Sequence, residues 1–145
     1  MAETRYSKSI RLNNHVAASV TRDCLRDKRL VYFILADKKL QYRKGRSRIA
    51  YIGTTRKGMS RILSSLAFRA KMILRERGVR ECHVKLVACA ERPGFETWRI
   101  LERELLVAFR KLFGTVPRFN TQGKGIKRPG YFTPSRVKRV IEDLS

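Results

Sequence analysis

The spacing of apolar positions changes along the chain, and each change marks an element. Residues 1–29 are polar and basic, with Val16, Val20 and Leu25 only loosely periodic, so this arm is expected to hold no more than a short helix from about Asn14 to Leu25. Arg29 to Leu35 reads RLVYFIL, an apolar run rich in β-branched and aromatic residues and bounded by charge, which predicts a buried strand. The segment ADKKLQYRKGRSR that follows carries six Lys or Arg between Lys38 and Arg48, with Gly45 available for a turn. Ile49 to Gly53, IAYIG, is again strand-like and closes at a glycine. Two strands joined in this way predict an antiparallel hairpin with a long, exposed basic tip.

Beyond Gly58 the period lengthens. Met59, Ile62, Leu63, Leu66, Ala67, Ala70, Ile73 and Leu74 recur at three-and-four spacing, with Gly78 as a stop, which predicts a helix. CHVKLVACA, residues 82–90, has the length and composition of a third strand. Pro93-Gly94 breaks the chain before a second helix from about Glu96 to Phe113, apolar over most of its circumference and ended by Gly114. Residues 117–129, PRFNTQGKGIKRP, read as a loop rich in Gly and Lys. Thr133 before Pro134 suits an N-cap with proline in the first turn of a terminal helix, SRVKRVIEDL. The order strand, strand, helix, strand, helix, loop, helix predicts an α+β domain, a small antiparallel sheet of about three strands flanked by helices.

Composition adds a partner class. The 145 residues hold 34 Lys and Arg against 12 Asp and Glu, a formal net charge of +22, far more than solubility requires. With 43% hydrophobic residues the chain has enough apolar surface to fold, so the charge is not that of a disordered tail. A surface this cationic calls for a polyanion. Lys and Arg are spread over every element rather than gathered on one amphipathic helix, which favours nucleic acid over a membrane surface. The longest apolar run, Leu30 to Ala36, is too short to cross a bilayer, and MAETRYSKS has no hydrophobic signal core. Cys24, Cys82 and Cys89 are odd in number and form no C-x-x-C pair, and His15 and His83 lie far apart. Reduced thiols in a cytoplasmic or nuclear protein are expected, and a His/Cys zinc site is not.

Several residues carry a more specific signal when taken in order. Tyr51-Ile52-Gly53 lies on the second strand, Leu30-Val31-Tyr32 on the first, Arg61 ten residues after Tyr51, Glu102 on the second helix ahead of Leu105 and Leu106, and Asn120 in Pro117-Arg118-Phe119-Asn120. Taken singly, the tyrosines would be ordinary strand residues, Arg61 a solvated arginine and Asn120 a turn residue. In this order they resemble the GIY-YIG nuclease family. The resemblance covers about residues 30–122, leaving residues 1–29 as a basic arm and residues 123–145 as a basic loop and a C-terminal helix packed on the same domain.

The resemblance implies a metal-dependent endonuclease that hydrolyses DNA phosphodiester bonds. Glu102 would hold one Mg²⁺ or Mn²⁺, Arg61 would stabilise the scissile phosphate, Tyr32 or Tyr51 would take the proton of the attacking water, and Asn120 would brace the site by hydrogen bonding. A tyrosine can act in that way only with a pKa well below about 10, which calls for a strongly cationic neighbourhood. Arg99 is a candidate ion partner for Glu102, and Glu104, on the same helix among apolar residues, differs from Glu102 only through the family register. Two departures stand out. Leu30 replaces the first glycine of the family's triplet, and Ser65 occupies the position one turn after the arginine where many members have His, Tyr or Lys. The nineteen-residue interval from Tyr32 to Tyr51 is long for the family and is expected to form a DNA-gripping insertion. Arg43, Lys44, Arg46, Arg48, Arg56, Lys57, Lys124, Lys127 and Arg128 are the expected phosphate contacts. Double-stranded DNA is the expected partner, with a homodimer or a recruiting protein supplying selectivity. The alternative is a non-catalytic module of the same fold that binds RNA or DNA.

Overall fold

A computed structural model of the chain describes residues 12–121 and 130–145. Its elements are β1 (Leu30–Tyr42), β2 (Gly45–Thr55), α1 (Met59–Ile73), β3 (Cys82–Val87), α2 (Thr97–Phe113) and α3 (Pro134–Leu144). The fold is α+β, with one antiparallel sheet of three strands in the order β2-β1-β3 and three α-helices around it. β1 is central, and Leu30 to Ala36 are all buried. Successive strand residues point to opposite faces, so an unbroken buried run means that β1 is covered on both. α1 packs on all three strands, α2 on β1 and β2, and α3 mainly on α2.

Two expectations are corrected here. The basic segment between the strands is not a long loop: β1 and β2 run on through it and are joined by a two-residue turn, Arg43-Lys44. The reason is alternation. Leu40, Tyr42, Ser47 and Ile49 are buried while Lys39, Gln41, Arg46 and Arg48 are exposed, so the segment satisfies the period-two rule with charge on its outer face. The tip is seated too. Lys44 donates its N–H to the Phe113 carbonyl at 3.1 Å, and Tyr42 meets Phe109 edge-on with ring centroids 5.1 Å apart. The second correction is the arm. Asn14 to Leu25 does not form an α-helix; it holds only a 3₁₀ turn at Arg22–Leu25, with Val16 81% exposed. Its loose periodicity offers no continuous face to bury.

α1 and α2 lie where the three-and-four spacing puts them, and α2 ends at Gly114 in the left-handed region. α3 starts at Pro134 as expected, although the Thr133 side chain makes no capping hydrogen bond. The three cysteines are free thiols. Among the described residues, no helix is long and apolar enough to cross a membrane.

Candidate active site

The site forms where the end of β2 meets α1 and α2. Tyr32 pairs with Gly53 across the β1–β2 ladder, and Tyr51 shares the Gly53 face because it is two residues away. The two rings converge over that glycine with centroids 5.9 Å apart. A Cβ at Gly53 would come within 2.6 Å of Tyr51 Cε1 and 2.8 Å of Tyr32 Cζ and Oη. Only a residue without a side chain admits this pair of phenols, which gives the glycine of the YIG triplet a steric reason.

α1 supplies the next layer. The Tyr32 hydroxyl donates to Ser65 Oγ at 2.8 Å, and Arg69 donates to the same oxygen at 2.7 Å. The Arg69 guanidinium lies 3.7 Å from the centroid of the Tyr51 ring. Arg69 was not anticipated, yet Arg61, Ser65 and Arg69 recur every four residues, the spacing of one helix face. The expectation of a phenol well below its ordinary pKa fails for Tyr51. Burial, followed by the neighbouring Tyr32 phenol, pushes it up to about 12, with Arg69 opposing the rise. Cationic surroundings are present, but the desolvation of a half-buried ring outweighs them.

Glu102 faces the site from α2. It is half-buried, and its Oε2 accepts a hydrogen bond from the Thr54 hydroxyl at 3.2 Å. Burial raises its pKa above the usual carboxylate value, against the Thr54 hydrogen bond and the charges of Arg103 and Arg99. Arg99 is not its ion partner: it pairs with Glu96 at 3.2 Å. Tertiary packing also separates the two α2 glutamates. Glu104 is 2% exposed, accepts the Phe132 N–H at 3.0 Å through Oε2, and among the described residues has no partner for Oε1.

Arg61 lines a recess of about 300 Å³ together with Thr54, Arg56, Lys57, Trp98 and Arg99. Thr54 thus connects Glu102 to the cationic recess. Asn120 is placed differently. It lies along the outer edge of β2, with both ends of its carboxamide bonded to the backbone of Ile52. It braces the strand between Tyr51 and Gly53, with one hydrogen bond at each end of its carboxamide.

The expected phosphate contacts divide into two groups. Arg56 and Lys57 are in the recess, whereas Arg43 and Lys44 form the hairpin turn and Arg46 and Arg48 lie on the exposed face of β2. The two groups stand at opposite ends of β2, roughly 30 Å apart for a strand of this length. Lys124, Lys127 and Arg128 lie outside the described residues.

Among the described residues, no three His, Cys, Asp or Glu side chains gather as a metal cluster. One desolvated carboxylate beside a hydroxyl is still a fit for a hydrated Mg²⁺, an ion that commonly takes one or two carboxylates and completes its shell with water and substrate phosphate. Comparison of the chain with protein-family models, with curated proteins and with solved structures finds no match.

Proposed function

We propose that this protein is a metal-dependent DNA endonuclease of the GIY-YIG type, in fold as well as in chemistry. The observation that carries the reading is the convergence over Gly53 of the Tyr32 and Tyr51 phenols, beside a Glu102 joined through Thr54 to the Arg61 recess. Phosphodiester hydrolysis needs a bound phosphate, donors for the charge that develops on it, and a group to receive a proton from water. Arg61, Arg56 and Lys57 supply the cations for one backbone phosphate, and Arg99, paired with Glu96, lines the same recess. Glu102 would hold the Mg²⁺ or Mn²⁺, which when bound supplies Lewis-acid stabilisation of the phosphate or the leaving oxygen. Tyr51, neutral up to high pH, is suited to orient and donate rather than to act as a base. The other phenol, Tyr32, would receive the proton only as the phenolate, after giving up the proton that it donates to Ser65.

The test is supercoiled plasmid with purified protein and Mg²⁺ or Mn²⁺. Nicking that stops with chelator and with Glu102→Ala is the expected result; nicking indifferent to both would overturn the mechanism. The second reading, a non-catalytic nucleic-acid-binding module, is favoured by the raised pKa of Tyr51 and by Ser65 standing where a stronger proton-transfer group would be expected. It predicts salt-sensitive binding of the plasmid with no nicking, unchanged by Glu102→Ala.

A further inference from the structure

Next to the recess lies a surface that the nuclease reading does not use. Arg92, Pro93, Gly94 and Phe95 make a tight turn closed by the Phe95 N–H donating to the Arg92 carbonyl at 3.0 Å. Gly94 has φ of +78°, and proline followed by a positive-φ glycine is the order of a type II turn. The turn holds the Arg92 guanidinium 4.4 Å from the centroid of the Phe95 ring. Tyr131 comes alongside with its centroid 6.5 Å from that of Phe95 and the rings 30° from parallel. Both aromatic residues are open to solvent, Phe95 47% and Tyr131 40% exposed.

This pair is not an isolated patch. Trp98, only 6% exposed, borders both the Arg61 recess and the cavity of about 530 Å³ that Phe95 also lines, and Arg29 lies over its ring at 5.1 Å. The two carboxylates in that wall are already paired, Glu91 with Arg29 at 3.7 Å and Glu96 with Arg99 at 3.2 Å. A path therefore runs from a cluster of cations, past an indole, to two exposed rings backed by an arginine. Cations spaced with aromatic faces are how proteins hold single-stranded nucleic acid, because phosphates follow the charges and unpaired bases stack on the rings. A continuous duplex keeps its bases stacked internally and offers nothing to Phe95 or Tyr131.

We infer that Phe95 and Tyr131 form a stacking site for an unpaired base next to the cleavage recess, so that the substrate is a polynucleotide with a single-stranded segment. The inference rests on the nucleic-acid reading of the recess and narrows its substrate class. Trp98 is the chain's single tryptophan and its emission reports occupancy of the path. The experiment uses the whole protein in chelator, titrated with a single-stranded DNA, the matching single-stranded RNA and a duplex carrying the same number of phosphates. One of the single strands should bind about tenfold tighter than the duplex and quench Trp98. Phe95→Ala should weaken single-strand binding by about tenfold and leave duplex binding within about twofold. Phe95→Leu combined with Tyr131→Leu, which keeps apolar bulk, should do the same, and far-UV circular dichroism checks the fold of each variant. Equal affinity for duplex and single strands, or equal losses on both, would overturn the inference. Because cleavage is not measured, the two proposals fail separately. Plasmid nicking without a single-strand preference removes only the stacking site, and a single-strand preference with no Mg²⁺- or Mn²⁺-dependent cleavage of either plasmid or single-stranded DNA removes only the nuclease.

Discussion

The Asn120 carboxamide pairs with Ile52 as a neighbouring strand would: Oδ1 accepts the Ile52 N–H at 3.0 Å, and Nδ2 donates to the Ile52 carbonyl at 2.8 Å. One residue earlier, the Phe119 N–H donates to the Ala50 carbonyl at 3.1 Å, where the β1–β2 register slips. Residues 119 and 120 thus satisfy the free edge of β2 beside Tyr51. Asn120→Ala should cost about 1–3 kcal/mol in urea unfolding, since it leaves a strand donor and acceptor without partners. Asn120→Asp should be at least as damaging at neutral pH, because a carboxylate oxygen would then face the Ile52 carbonyl. A loss under about 0.5 kcal/mol for both would show that the edge does not depend on this residue.

The space over Gly53 makes a second prediction. Gly53→Ala puts a methyl into the Tyr32 and Tyr51 rings and should destabilise the protein by about 1–3 kcal/mol. Introduced into a Tyr51→Ala background, the same change should cost clearly less, because one of the two clashing rings has gone. A double-mutant cycle with no coupling between positions 51 and 53 would contradict the geometry.

Tyr51 sets a pH dependence whose sign is fixed. Its folded pKa of about 12 lies above the ordinary value of 10, so the folded protein keeps a proton that the unfolded chain gives up. The stability this represents is complete below pH 10 and is lost as pH rises towards 12. Ultraviolet titration of the phenols should show a late inflection that disappears in Tyr51→Phe. In Arg69→Ala the inflection should move later still, since Arg69 is the charge that opposes the rise.

Arg46 and Arg48, on the exposed face of β2, give a test of phosphate binding. If the ribbon contacts nucleic acid, each change to Ala should weaken binding similarly across sequences and reduce the slope of log K against log salt by about 1. An unchanged slope in the double variant would place the contacts elsewhere.

These particulars show what could be read from the sequence and what could not. α1 and α2 were legible because their burial follows one helical face, with Gly78 and Gly114 beyond their ends. The two strands and their antiparallel pairing were legible as well, but their continuation to Tyr42 and from Gly45 was not, because charge density over Lys38–Arg48 hid the alternation of Leu40, Tyr42, Ser47 and Ile49. Glu102 and Glu104 look alike from neighbours on one helix. They differ only through contacts far along the chain, Thr54 for the first and Phe132 for the second. Arg69 was legible in principle, from the Arg61–Ser65–Arg69 repeat. The work of Asn120 was not, since it depends on a strand 68 residues away.

The two-residue join at Arg43-Lys44 has a mechanical consequence. A floppy cationic segment must surrender its freedom whenever it grips a polyanion, whereas the tip of this ribbon is paired from Leu40–Ser47 to Tyr42–Gly45 and anchored to the end of α2. Arg46 and Arg48 stand about 7 Å apart on it, fixed before any ligand arrives. The ribbon is a stencil of positive charge, and on the proposed nucleic-acid reading its selectivity would lie in which backbones have phosphates at a matching pitch.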